Sequence, residues 1–205
     1  MQLHNKQYPV ILASGSQVRA TLLKNAGLEF TIYPADIDED TIKTNYLSSP
    51  SPQMPALAET LAEHKAKAVS KIFPDHFIIG ADQILVLENK IFNKPGSYEQ
   101  ARTQLMELRG HTHLLISAVS LVHNGENLWT CTDQCEMKMR EFSPEFLDIY
   151  LHQCGKSIFS SVGGYQLENH GAHLFDTVKG DYFTVLGLPL IPLLESLRTR
   201  NILVS

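Results

Sequence analysis

Two groups of polar residues in this chain have types and spacings suited to chemistry on a charged substrate. The first centres on Asp82, which closes the apolar run Phe77-Ile78-Ile79-Gly80-Ala81. A short apolar run bounded by polar residues reads as a buried strand, and ligands in open α/β sheets gather at the carboxyl ends of such strands. Beyond Ile84 to Leu87 and the turn-like Glu88-Asn89-Lys90 lies Asn93-Lys94-Pro95. If the two arms form a hairpin, Lys94 returns toward Asp82 and an acid and a lysine share one pocket. The same aspartate could equally cap the turn after a core strand, because turn positions favour Asp for local hydrogen bonding. The second group is Ser14-Gly15-Ser16 with Arg19, set between the apolar stretch Pro9 to Ala13 and a helical pattern from Gln17 to Ala26. A helix N-terminus preceded by hydroxyls and a glycine offers N–H groups and a positive dipole end to an anion such as phosphate. Plain N-capping by Ser14 or Ser16 accounts for the same residues without a ligand.

Other side chains could join them. Asp36-Ile37-Asp38-Glu39-Asp40 crowds four carboxylates after the alternating stretch Leu28 to Pro34. Such a cluster either faces solvent or binds a hard cation such as Mg2+, which takes oxygen ligands and usually bridges protein to phosphate. Lys65 and Lys67 stand among alanines on a helix expected from Ala56 to Lys71, with Leu57, Leu61, Ala68 and Ile72 on its apolar side. One of them could enter a site, although lysines on a helix are commonly solvent-facing. His111 and His113 could place two imidazoles on one strand face, but no third ligand stands at an evident spacing.

The elements that must position these groups alternate between strand and helix. Ser97 opens a helix with Glu99 and Gln100 in its first turn, Leu105 and Leu108 on its core side and Gly110 as its stop. Thr112 to Val122 and Leu128 to Met139 read as strands joined by an Asn124-Gly125 hairpin turn. Ser143-Pro144-Glu145 starts a helix running to about Gly155. Ser160 to Tyr165 and Leu167 to Gly171 are loops, Ala172 to Val178 is a strand, and Leu186-Gly187-Leu188-Pro189 leads into a final helix ending near Arg198. The expected architecture is α/β: a mixed, twisted sheet with helices on both faces, all in one domain over residues 1–205.

The totals exclude several classes. A formal net charge of −5, with 17 Lys and Arg dispersed without a basic run, disfavours a partner made of large nucleic acid while leaving room for one nucleotide. No stretch approaches the ~18 apolar residues of a membrane span. The opening Met1-Gln2-Leu3-His4-Asn5-Lys6 lacks the apolar core of a signal peptide, so the expected location is the cytoplasm. Cys131, Cys135 and Cys154 form an odd set with no CxxC pair, consistent with a reducing compartment and packing roles.

Taken in order, Ala13-Ser14-Gly15-Ser16 with Arg19 and Leu22-Leu23, then Gly80-Ala81-Asp82, Asn93-Lys94-Pro95 and Gly187-Leu188-Pro189-Leu190, resemble the Maf family over nearly the whole chain. The resemblance implies a Maf/ITPase-like fold with a nucleotide cleft between a larger body and a smaller lobe, and hydrolysis of nucleoside triphosphates between the α- and β-phosphates, with a divalent metal, Mg2+ or Mn2+. It implies Asp82 as general base, Lys94 and Lys65 as partners of the triphosphate, Ser14, Ser16 and Arg19 as the phosphate-binding turn, and Glu39 as metal ligand. It also implies homodimerisation, removal of non-standard nucleotides, and a link to septum formation that could rest on nucleotide binding without turnover. Departures from the family pattern bear on the base. The Ser-Pro-Arg-Arg turn becomes Ser16-Gln17-Val18-Arg19, with one arginine fewer. Where members acting on dTTP and UTP tend to have Gly-Ala-Asp-Thr and Ile-Gln-Gly, this chain has Gln83 and Leu167-Glu168-Asn169. Gln83 and Glu168 resemble the branch acting on 7-methyl-GTP, since a carboxylate can accept from guanine N1–H and the exocyclic amine. Val18 departs from that branch, which resembles a Trp there that could stack on a base.

Overall fold

The computed structural model describes residues 3–204. Met1 and Gln2, the first residues of the opening read above as lacking a leader core, lie outside the described residues. A mixed α/β fold results, with a seven-stranded sheet in the order β2-β1-β3-β5-β6-β7 and β4 on β3. Strands β1 (Val10–Leu12), β2 (Thr31–Ile32) and β3 (Phe77–Leu87) pair in parallel, with Leu12 opposite both Ile32 and Ile79. Strand β4 (Lys90–Phe92) returns antiparallel on β3, and β7 (Phe175–Lys179) runs antiparallel to β6 (Glu126–Met139). Among the described residues no helix is long and apolar enough to cross a membrane.

The chain divides into two compact units, and it passes from one to the other within β3, β6 and β5 (Thr112–His123). The first unit comprises residues 1–82, 117–133 and 187–205. In it Ile11, Ala13, Ala66, Val69, Ile78 and Val122 form a buried cluster. Helix α1 (Gln17–Asn25) follows β1 and ends at Gly27, whose φ of 81° is cheap only for glycine. Helix α3 (Met54–Ser70) lays Leu57, Ala58, Leu61, Ala62, Ala66 and Val69 on its buried face, a 3.6-residue period. The inward stripe therefore passes through Ala66 and Val69 instead of Ala68, and Ile72 lies beyond the helix, 56% exposed. Each buried leucine contributes about 2 kcal/mol of apolar transfer energy.

Helix α2 (Glu39–Leu47), capped by Asp38 accepting from Thr41 N, begins inside the acidic run, where the residue pattern signals no helix. It buries none of its residues and so shows no apolar stripe. The strand expected over Leu28 to Pro34 contracts to two exposed residues.

The second unit, residues 83–116 and 134–186, has its own core around Leu85, Phe92, Leu105, Leu108, Met137, Leu147 and Tyr165. Helices α4 (Tyr98–Leu108) and α5 (Pro144–Cys154) start at Ser97 and Ser143, whose hydroxyls accept from the third residue on, as expected. The segment after α5 forms 3-10 turns, in which Gly163 and Gly164 are buried with positive φ. Asp181 caps the short α6 (Tyr182–Val185), an element absent from the sequence reading. Helix α7 (Leu190–Arg198) closes the first unit.

Candidate active site

Strand β3 runs unbroken from Phe77 to Leu87, so Asp82 lies in mid-strand and not at a strand end. The expectation of a turn after Asp82 is thus corrected: Gln83 and Ile84 continue the ladder because the apolar run resumes at once. Mid-strand placement fixes the carboxylate's backbone more firmly than a turn would. Asp82 is 6% exposed.

Its partner comes from α3. Lys65 Nζ lies 2.5 Å from Asp82 Oδ1 and 2.8 Å from Glu39 Oε1, so a single ammonium spans two carboxylates from different elements. Lys43, one turn along α2, approaches the other oxygen of Glu39 at 3.7 Å. Lys67 behaves as an ordinary surface lysine, 45% exposed and paired with Glu63. The close seat of α3 on β3 is permitted by Gly80. A Cβ there would overlap the Ala62 carbonyl oxygen and lie 2.8 Å from both N and Cβ of Ala66, so only glycine lets the helix approach. That proximity puts Lys65, beside Ala66 in sequence, within reach of Asp82. Removing one partner of so enclosed a pair would strand the other, at a cost of about 3–5 kcal/mol.

Arg19 projects from the first turn of α1 and is 8% exposed. Its Nη1 donates to Ser14 Oγ at 3.1 Å and to the Ala81 carbonyl at 2.9 Å, and its Nε donates to the Gly187 carbonyl at 2.7 Å. Burial pulls its pKa down, and the negative charges of Asp82 and Glu39 pull it back up. Ser14 Oγ also accepts from Ser16 N, while Ser16 Oγ accepts from Arg19 N as the N-cap. The hydroxyls therefore perform the capping that the sequence alone allowed, and in doing so they build the turn that sets Arg19. The first unit brings together Ser14, Ser16, Arg19, Glu39, Lys65 and Asp82. Val18 is half-buried on the same turn of α1.

The remaining residues belong to the second unit. Lys94 follows the end of β4 and is exposed, on the return arm of the expected hairpin. Gln83 Nε2 donates to the carbonyls of Thr184 and Val185 at 3.1 and 3.0 Å, which ties β3 to the end of α6. Glu168 is exposed in the turn before the 3-10 segment His170–Leu174. His113 is buried and shares a 2.6 Å hydrogen bond between its Nε2 and the Tyr165 hydroxyl, which makes it a core residue. Among the described residues no group of three or more His, Cys, Asp or Glu is placed to hold a metal ion.

Sequence reading missed two contributors. Gly80 could have been flagged as a glycine inside an apolar strand, a sign of close backbone approach. Lys43 could have been flagged by its i,i+4 spacing from Glu39.

The family profile described as Maf-like protein matches residues 9–200. The chain belongs to the Maf family. This Maf chain is 45% identical over 196 residues to a nucleoside triphosphate pyrophosphatase of Rhodopseudomonas palustris, covering 95% of each chain. It is 46% identical over 204 residues to one from Bradyrhizobium diazoefficiens, covering 99% of each. It is also 45% identical over 193 residues to a 7-methyl-GTP pyrophosphatase of Brucella abortus, covering 94% of this chain and 96% of that one. As a member of the family these relatives represent, the Maf chain is an enzyme, a pyrophosphatase that hydrolyses an acid anhydride bond.

Proposed function

We propose that this enzyme hydrolyses nucleoside triphosphates between the α- and β-phosphates, releasing a nucleoside monophosphate and pyrophosphate, with Asp82 as general base. The observation that carries the reading is the buried Asp82 carboxylate with one oxygen held 2.5 Å from Lys65 Nζ. In the free enzyme Lys65 holds the group through Oδ1, and Oδ2 takes the proton of the attacking water. Phosphoryl transfer asks little covalent help of a protein. Positioning and neutralisation of charge on phosphate oxygens supply most of the barrier reduction. Lys65 and Lys94 supply that charge, and the Ser14–Ser16 turn with Arg19 receives phosphate at the start of α1.

The residues present suit a hard divalent cation. Glu39 and Asp82 already converge on one cationic group, and one or two carboxylates completed by phosphate oxygens and water are the usual Mg2+ set. Glu39 would hold the ion, Mg2+ or Mn2+, which when bound would polarise the phosphate oxygens.

Within this class we assign 7-methyl-GTP as the preferred substrate. Glu168 supports this because an exposed carboxylate can accept from a guanine edge and favours the positive charge of a methylated ring. The name borne by the Brucella abortus relative supports it as well. The test is pyrophosphate release from dTTP, UTP, CTP, GTP and 7-methyl-GTP with Mg2+ or Mn2+, comparing the native enzyme with Asp82→Asn and Glu168→Gln. Asp82→Asn should lower kcat by about 10²–10⁴-fold while nucleotide binding persists. Glu168→Gln should narrow the margin of 7-methyl-GTP over GTP. Preference for dTTP or UTP would discard the substrate assignment and keep the enzyme, whereas retained turnover in Asp82→Asn would discard the base.

A further inference from the structure

The Lys65 ammonium occupies the position between Glu39 and Asp82 where the proposed function puts a cation. It lies 2.8 Å from one carboxylate and 2.5 Å from the other, and its side chain is only 12% exposed. Lys43 adds a second positive charge 3.7 Å from Glu39, and buried Arg19 feels the field of both carboxylates. Lys65, Lys43 and Arg19 thus set three positive charges against the carboxylates of Glu39 and Asp82. A bare divalent ion would have to displace the Lys65 ammonium, which already engages Glu39 Oε1 and Asp82 Oδ1.

From this we infer that Lys65 is an internal counter-cation that keeps the carboxylate pair from loading metal until a polyphosphate draws its ammonium away. This rests on the proposed function for the identity of the anion, but it adds an order of events. A triphosphate brings several negative charges, and the flexible four-carbon stem of a lysine allows its ammonium to move from carboxylate to phosphate oxygen. Once Lys65 has turned to the phosphates, Glu39 and Asp82 are left with Lys43 and Arg19, and the local charge no longer opposes a divalent cation. The free enzyme therefore binds metal poorly, and metal and nucleotide enter together. The device also protects the site, since an acidic pair held by its own lysine does not collect adventitious cations.

The test is binding of Mn2+ alone, with no nucleotide present, followed by the electron paramagnetic resonance signal of free Mn2+. The native enzyme, Lys65→Met and Lys65→Arg are compared, each checked for folding by circular dichroism. Lys65→Met leaves two carboxylates facing each other without the intervening charge, so its Mn2+ affinity should exceed that of the native enzyme by about tenfold or more. Lys65→Arg keeps the charge and should bind Mn2+ as weakly as the native enzyme. Adding Asp82→Asn to Lys65→Met should remove the gain. If Lys65→Met does not fold, Lys65→Gln, which retains a donor toward the carboxylates, takes its place. Equal Mn2+ affinity in native and charge-free enzymes, or a gain that survives Asp82→Asn, would overturn the inference. Failure here with Asp82→Asn still inactive would leave the catalytic reading intact, whereas an active Asp82→Asn would strike that reading alone.

Discussion

Adding a single methyl group at Gly80 should damage both stability and catalysis, although Gly80 carries no functional group. In Gly80→Ala the new Cβ would lie 2.8 Å from Ala66 Cβ and overlap the Ala62 carbonyl oxygen. Carbon atoms pack at about 3.5–4.0 Å, so α3 must withdraw by roughly 1 Å where it crosses β3. Overpacking of this kind costs about 1–3 kcal/mol. For a chain of this size each kcal/mol is worth about 2–4 °C, so a fall in Tm of roughly 2–12 °C is expected. The same withdrawal carries Lys65 with it and stretches its 2.5 Å contact with Asp82 toward about 3.5 Å, beyond useful hydrogen bonding. A misplacement of about 1 Å at a reacting centre can lower a rate by about a hundredfold, and the loss should fall on kcat more than on KM. Thermal melts and steady-state pyrophosphate release read both effects. Ala66→Gly in the same background removes one of the three close contacts and should recover part of the Tm but not all, because the Ala62 carbonyl oxygen and the amide nitrogen of residue 66 remain. A Gly80→Ala enzyme with native Tm and kcat would refute the claim that the α3–β3 approach sets the site.

Arg19→Met should destabilise the protein by about 3–5 kcal/mol, since it leaves the carbonyls of Ala81 and Gly187 without their donor, and Arg19→Lys should recover only a minor part of that loss in urea denaturation. His113 makes stability pH-dependent. Burial pushes its pKa down from 6.5 to about 4, so the unfolded chain binds a proton that the folded chain refuses. The stability it allows is therefore present above about pH 6.5 and is lost as the pH falls toward 4, by about 2 kcal/mol between pH 7 and pH 5. His113→Gln should flatten that segment of the stability profile relative to the native protein while keeping a polar partner for Tyr165. An identical pH slope in the two proteins would remove His113 as its source.

Periodicity exposed much of the fold in the sequence. Helices α1, α3, α4, α5 and α7 were legible because each carries an apolar stripe, a cap or a terminating glycine, and Asn124-Gly125 named its own hairpin with φ values of 49° and 78°. Helix α2 was illegible for a physical reason: it buries nothing, so no apolar period marks it, and its start was hidden in a run of carboxylates. Strand β3 was read as ending at Asp82 because a charged residue in mid-strand breaks the apolar pattern, yet Lys65 supplies the partner that lets the carboxylate stay buried. At the site, residue types pointed to Asp82, Arg19 and Glu39, but spacing could not choose Lys65 over Lys67. That choice follows from the face of α3 that meets Gly80. Two of the three acceptors of Arg19 are backbone carbonyls, which any residue supplies, so no side-chain pattern could have announced those two.

The bond from Arg19 to the Gly187 carbonyl joins residues 168 positions apart, across a turn whose φ of 92° at Gly187 is held without strain by glycine. Read as a folding event, it closes one of the longest loops the chain can make. Contacts of such separation form late, because the entropy of closing the loop must be met before the contact stabilises anything. During synthesis, α1, α3 and the first half of β3 can assemble long before residue 187 leaves the ribosome, and until then a buried guanidinium lacks one of its three acceptors. The turn that sets Arg19 is thus among the last parts of the protein to gain all of its bonds, after most of the sheet has formed.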